Sequence, residues 1–338
     1  MTAEERAADE AIMLEGLNHC ASYGFTSLHN MDGNFYQLEL LKALEDRGEL
    51  ICRTEVPFHL TPGKPLSTLD EASQMHETYA SDRLRSGRVK MFMDGVIDSG
   101  TAFMIEDYAD TPGKRGEALH SVERFNEAAT EADRRGLQIA VHAIGDAAVR
   151  RVLDGYQAAR EANGARDSRH RIEHIEVIHP DDLDRVKELG VVASMQPSHP
   201  PCALDFPLQP WASKVGEARW PFAFPVADLR ERGVPIAFAS DWPVADVNPM
   251  RSVWAAVARQ PWKEGQPSHA STLLDSLHDY SAGGAYAGHD EDRLGSLVPG
   301  KLADIVVMDT DLEAVELDAV AEARAAITLS DGKPIYEA

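Results

Sequence analysis

Cysteine is scarce in this chain, and none of it is paired. Cys20, Cys52 and Cys202 are the only three in 338 residues, and no CxxC occurs. That excludes a disulfide framework and a thiolate zinc site, and it fits the reduced thiols of a cytoplasmic protein. No apolar run nears the ~20 residues of a membrane span, and Met1-Thr2-Ala3-Glu4-Glu5-Arg6 does not open a signal peptide. Positive charge is outnumbered, with 33 Lys and Arg against 56 Asp and Glu and a net charge of −23. Phosphates would be repelled, so neither nucleic acid nor a membrane is expected as a partner. There is no Walker loop, no GxGxxG opening a βαβ unit and no GxSxG elbow, which removes the commonest nucleotide and serine-hydrolase sites.

What is present is a soluble globular composition, 43 % hydrophobic and 26 % charged, long enough for one large α/β barrel or two ordinary domains. Helical periodicity and glycine stops predict helices at 2–23, 35–47, 69–85, 121–135, 146–162, 181–189 and 226–232. Between them lie apolar strands at 25–31, 50–60, 88–95, 137–142, 169–175, 191–196 and 234–240. Two more helical stretches follow at 251–259 and 271–287. The alternation argues for a parallel sheet. Seven strands suit a doubly wound sheet, whereas a closed (β/α)8 TIM barrel needs eight. His29, Asp94, His142, His174, Gln196 and Asp241 fall at the C-terminal ends of different strands, where barrel active sites are built. After about residue 290 the pattern changes to three short strands with an Asp331-Gly332 turn, part of a small β-domain. Domains are therefore expected at 1–290 and 291–338.

The strand Arg88-Val89-Lys90-Met91-Phe92-Met93-Asp94 holds a lysine on the same face as Phe92 and Asp94. Either Lys90 faces solvent at a sheet edge, or it is buried for a purpose. His142 and His174 end successive strands, so in a barrel their imidazoles would be neighbours. Two imidazoles plus an oxygen donor suit Zn, Fe or Mn. Asp241 follows Ala237 and Ala239 on one face and could be both ligand and general base. Each also has a plain structural role: a histidine bonded to a loop, or an aspartate capping the next segment. A buried lysine among metal ligands can be neutral and react with CO2, giving a carbamate that bridges two ions. His120, His269, His278 and His289 sit in polar segments and are expected at the surface. Trp211, Trp220, Phe222 and Phe224 lie in a long, proline-rich loop and are expected to cover the site mouth.

Several segments resemble the metal-dependent amidohydrolase superfamily, most closely its family 3 branch with N-substituted formamide deformylase-like proteins. They are Val89-Lys90-Met91-Phe92-Met93-Asp94-Gly95, Ala140-Val141-His142-Ala143-Ile144-Gly145-Asp146, Arg171-Ile172-Glu173-His174, Met195-Gln196-Pro197-Ser198-His199 and Ala239-Ser240-Asp241-Trp242-Pro243-Val244. The tail from Gly295 to Asp304 is similar to the superfamily's C-terminal signature. The resemblance implies a TIM barrel with a composite β-sandwich, and hydrolysis of an amide or formamide-type C–N bond in a small molecule. It implies a divalent metal, zinc first with manganese or iron as alternatives, as one or two ions. Lys90, His142, His174 and Asp241 would be its ligands, with Lys90 carboxylated and Asp241 the base. Gln196, His199 and Asp94 would contact substrate.

One departure bears on all of this. The family's HxH motif, at the end of its first barrel strand, is missing. With one strand fewer than eight, the expectation is the C-terminal portion of a longer protein, its barrel lacking strand one and its β-sandwich partial. Without HxH, one of the ions bridged by Lys90 has no histidines. The alternative function is thus a catalytically incomplete remnant serving as a scaffold or interaction module. A single-metal lyase or isomerase is a third. A homodimer is compatible with the sequence.

Overall fold

The computed structural model describes residues 2–338. Nine strand segments run parallel: β1 (Ser27–His29), β2 (Arg53–Glu55), β3 (Phe58–His59), β4 (Leu84–Arg85), β5 (Arg88–Phe92), β6 (Gln138–Ala143), β7 (Arg171–His174), β8 (Val192–Met195) and β9 (Ile236–Phe238). Pro57, which has no N–H to give a ladder, separates β2 from β3. β2 pairs with β1 and β4, while β3 pairs with β5. Taking β2 with β3, and β4 with β5, as two bent strands leaves seven, in the order β1, β2/β3, β4/β5, β6, β7, β8, β9. The expected helix at 69–85 is shorter: it ends at Thr78, and Leu84–Arg85 joins the sheet instead. The arrangement is TIM-barrel-like.

Register defines layers of side chains on one face. Lys90, Ala140, Arg171 and Val192 are aligned across β5 to β8, and Phe92, His142, Glu173, Ser194 and Ala237 form the next layer toward the C-terminal ends. Among the described residues no ladder joins β9 to β1. The glycine-rich helix Ala282–Ala287 lies there. A Cβ at Gly283 would collide with the Ile236 carbonyl oxygen of β9, and one at Gly288 would sit 2.8 Å from His29 Nε2 on β1. Glycine is needed at Gly283 because two backbones approach so closely, while at Gly288 the His29 ring fills the space a Cβ would take.

The outer shell packs apolar helix faces on the sheet. Phe125, Ala128, Ala129 and Ala132 of the helix Val122–Arg134 are buried, as are Val152, Leu153 and Tyr156 of Asp146–Asn163. The four aromatics expected over the site mouth pack against the core instead, Trp220 and Phe222 half-buried. Trp211 and Phe224 are core residues at 4 % and 3 % exposure, and Trp211 packs on Trp262 with ring centroids 4.8 Å apart. Buried indole area outweighs any advantage of exposing it in a lid. His120 and His269 are likewise buried rather than on the surface. Residues 305–337 form an antiparallel sheet of β10 (Ile305–Met308), β11 (Ala325–Ser330) and β12 (Lys333–Glu337), with Asp331 and Gly332 at positive φ in the turn. Thr328 Oγ1 donates to the Ala21 carbonyl at 2.8 Å and ties this sheet to the first helix. Among the described residues no helix is long and apolar enough to cross a membrane.

Asp133 joins the outer helices. Its carboxylate accepts from His170 Nε2 (3.1 Å), Asn163 Nδ2 (2.9 Å) and Arg166 Nε (2.6 Å). Burial alone would raise its pKa, but these donors win and hold it well below the usual carboxylate range. An unfolded aspartate titrates near ~4. The stabilisation is therefore present above that value and is lost as pH falls below it. We predict that Asp133→Asn lowers the unfolding free energy from urea denaturation at pH 7 by about 1–3 kcal/mol. The gap should narrow between pH 4 and pH 2.

Candidate metal centre

The C-terminal ends of β5 to β9 collect the polar side chains that the sequence singled out. Lys90 is 2 % exposed, so the sheet-edge alternative is ruled out. Its Nζ lies 4.7 Å from the Phe92 ring centroid. Burial pulls its pKa down to about 8, against the attraction of Glu173 and Asp241. A lysine so placed has a neutral fraction that an exposed one lacks.

His142 Nε2 is bonded to the Gly95 carbonyl at 3.0 Å. A carbonyl only accepts, so Nε2 carries the proton and Nδ1 keeps its lone pair. The plain role, a histidine bonded to a loop, is thus met by one nitrogen and leaves the other available. His174 closes β7. Strand alternation would turn it away from the face that holds Arg171 and Glu173. A φ of +83° at His174, followed by +50° at Ile175, ends the strand and lets the imidazole join His142, with centroids 4.6 Å apart. His174 Nδ1 bonds Gln196 Oε1 at 2.8 Å, which leaves Nε2 as the free donor atom. Gln196, expected to touch substrate, is therefore engaged in orienting His174.

Asp241 also has a left-handed backbone, φ +57°, just past β9. Such conformations cost about 1–3 kcal/mol each and persist only where the surroundings impose them. Burial raises the Asp241 pKa to about 6, with Lys90 pulling it down. His199 stacks on His174, rings 5.9 Å apart and 11° from parallel, and its Nε2 is 3.8 Å from Asp241 Oδ2. The donor atoms of His174, His199 and Asp241 lie within 4.8 Å of one another. Burial lowers the pKa of His142 and of His199 to about 4, and that of His174 well below its ordinary value. All three are neutral at physiological pH, as metal ligands must be.

Asp94 is placed differently from expectation. Its carboxylate accepts from the amides of Phe103 (2.8 Å), Ile144 (3.0 Å) and Gly145 (2.9 Å). Both oxygens are thus engaged with backbone amides around the turn after His142. Beneath the site lies a layer of charge that the sequence reading passed over. Arg171 bonds Ser194 Oγ (2.8 Å) and His29 Nδ1 (3.1 Å) and pairs with Glu173 (2.9 Å). Arg88 bonds Glu55 (2.7 Å) and Gln138 (2.7 Å). The signal was available: Arg88 and Lys90, and Arg171 and Glu173, are charges two apart on apolar strands.

A parallel sheet with neutral imidazoles, a carboxylate and a buried lysine at its strand ends is the architecture of metal-dependent hydrolases. The profile of the amidohydrolase family matches residues 1–336, and the chain belongs to that family. It is 39 % identical over 235 residues to the protein LONG AFTER FAR-RED 3 of Arabidopsis thaliana, covering 68 % of this chain and 40 % of that one. It is 28 % identical over 344 residues to N-substituted formamide deformylase of Arthrobacter pascens, covering 98 % and 61 %. The fold matches the crystal structure of an uncharacterized metal-dependent hydrolase of Pyrococcus horikoshii with a TM-score of 0.78 at 27 % identity, covering 94 % and 62 %. The chain thus spans between 40 % and 62 % of the length of these proteins.

The role of Asp94 can be tested directly. In Asp94→Ala three buried amides lose their acceptor, at about 1–3 kcal/mol for each group left unsatisfied. We expect a lower urea midpoint, and faster hydrogen exchange at Phe103, Ile144 and Gly145 than in the distant helix Val122–Arg134.

Proposed function

We propose that this chain carries the catalytic machinery of a metal-dependent hydrolase that cleaves the C–N bond of a small amide or formamide-type substrate. The observation that supports this is the set of buried, neutral imidazoles with free lone pairs beside the Asp241 carboxylate. Lys90, His142, His174 and Asp241 are the residues that would hold a divalent ion, zinc first, with manganese or iron as alternatives. Such an ion supplies an activated water and polarises a carbonyl. Asp241 would take a proton from the attacking water and pass it to the departing nitrogen. Burial and the pull of Lys90 set how tightly Asp241 holds that proton. Gln196 keeps the His174 ring in place. Lys90, were it carboxylated, would supply an anionic oxygen donor to such an ion.

We place residues 1–290 in a TIM-barrel-like domain. Residues 291–338 are then part of a composite β-sandwich. The unpaired edges of β1 and β9 also favour a second reading, a catalytically incomplete scaffold.

Assay of the chain with Zn2+ or Mn2+ against N-acyl and N-formyl amides separates the two. Metal-dependent turnover is expected, reduced by about 10²-fold or more in Lys90→Ala, His174→Ala and Asp241→Ala. Turnover unchanged in all three variants, or insensitive to chelators, overturns the hydrolase assignment. Stoichiometric metal without turnover of any amide favours the scaffold.

A further inference from the structure

We propose that His59 determines substrate specificity: its Nε2 accepts a hydrogen bond from an O–H or N–H at the end of the substrate's N-substituent, and Asp32 is the positioning residue that makes it an acceptor. The class selected is a formamide-type amide whose nitrogen carries an apolar arm ending in a hydrogen-bond donor. This rests on the reading above in taking the pocket to receive an amide. It concerns a wall of that pocket, apart from the side chains that would hold an ion.

His59 ends β3, and register pairs it with Lys90 of β5. Paired residues project from the same face of a sheet, here the face that also carries Phe92. His59 packs on Phe92 with ring centroids 5.4 Å apart, and Phe92 packs on His142 at 4.9 Å. The half-buried Phe92 ring is thus an apolar step between His59 and the imidazole at the strand ends. His59 Nδ1 lies 3.1 Å from Asp32 Oδ1. A carboxylate only accepts, so in the neutral ring Nδ1 carries the proton and Nε2 keeps its lone pair. Nε2 makes no hydrogen bond among the described residues and is open to solvent, in a side chain 25 % exposed.

The turn that bears Asp32 is secured without His59. The Asn30 amide donates to the Glu55 carbonyl at 2.9 Å. Gly33 lies so close to the neighbouring chain that a Cβ there would meet Val56 Cγ1 at 2.2 Å and the Pro57 carbonyl oxygen at 2.6 Å. Asp32 Oδ1 is itself fixed by the Gly33 amide at 2.9 Å. The Asp32 side chain is 79 % exposed, and a pair so open to water adds little stability. The consequence of the Asp32–His59 bond is therefore chemical: an oriented ring that offers one lone pair at the far end of an apolar step. Two ring contacts separate that lone pair from His142, so it meets the arm of a substrate rather than the bond to be cleaved. In a formamide-type substrate the only arm is the N-substituent.

The test uses the full chain with Zn2+ present and three formamides with arms of equal length. N-(4-hydroxybutyl)formamide ends in a donor, N-pentylformamide in a methyl group, and N-(3-methoxypropyl)formamide has an acceptor only. Nitrogen-15 NMR of histidine-labelled protein is recorded at about pH 9, where an ordinary imidazole is neutral. The His59 signals are identified by their loss in His59→Phe, which keeps a ring against Phe92. The wild-type ring is expected to be protonated on Nδ1, and its Nε2 signal to shift with the hydroxybutyl compound alone. Asp32→Ala should release that tautomer, which a merely structural pair would not govern. The wild-type preference in kcat/KM for the hydroxybutyl over the pentyl compound should fall roughly 5- to 10-fold in His59→Phe, the size of one neutral hydrogen bond. His59→Gln, whose amide oxygen accepts, should restore part of it. An Nε2 signal that ignores the hydroxybutyl compound or answers all three alike overturns the proposal. So does a wild-type ring protonated on Nε2, or a preference unchanged in His59→Phe. A selective NMR response without turnover of any amide keeps the role of His59 and loses the hydrolase reading. Turnover of the formamides with no selective response at His59 does the reverse.

Discussion

The structure depends on how charge is kept inside a parallel sheet. Arg88, Lys90, Arg171, Glu55 and Glu173 are all buried. Removing any one of them from water costs several kcal/mol unless an opposite charge and hydrogen bonds replace the lost hydration. The replacements come from neighbouring strands, Arg88 on Glu55 and Gln138, Arg171 on Ser194 and His29 as well as Glu173. The bonds from Arg88 to Glu55 and Gln138, and from Arg171 to Ser194 and His29, each hold one strand in register with another, whereas the Arg171–Glu173 pair lies within β7. A slip by one residue would send a charge into the apolar outer layer, so the polar interior specifies register more tightly than an aliphatic one could. Electrostatic specificity at the bottom of the sheet thereby fixes where the strand ends stand at the top.

At those ends the regular geometry is broken where donors are needed. Glu173 and His174 are consecutive, yet both take part in the interior. Left-handed backbone at His174, Ile175 and Asp241 makes that possible. Strain of this kind survives because Gln196 holds the His174 ring from the side and the buried layer holds the strand from below. The position of the His174 imidazole is thus set by a side chain reaching from the next strand's end.

Much of this was legible in the sequence, for identifiable reasons. Seven strands could be counted because each is an apolar run closed by glycine, proline or a polar end. His142, His174 and Asp241 stood out because polar groups ending apolar strands are rare, and Lys90 because it stands in the middle of one. What escaped was whatever depends on contacts between distant segments. His199 sits in a loop, so no periodicity aims its ring at Asp241; only the fold does. Asp94 looked like a free carboxylate until the amides of Phe103, Ile144 and Gly145 were seen to converge on it. Trp211 looked like part of a lid because its packing partner, Trp262, lies far along the chain. Helix 69–85 was drawn too long because Leu84 and Arg85 are local helix formers taken into the sheet by pairing with Thr54 and Glu55.

The amides gathered by Asp94 come from two separate stretches of chain. Ile144 and Gly145 belong to the turn that carries His142, whereas Phe103 belongs to the excursion that leaves β5 through Gly95. Gly95 in turn gives its carbonyl to His142. The excursion and the imidazole are thereby fastened at two points and behave mechanically as one lever. The loop after β5 and the His142 ring thus share one anchor, the Asp94 carboxylate, whose Oδ1 lies 3.7 Å from His142 Nε2.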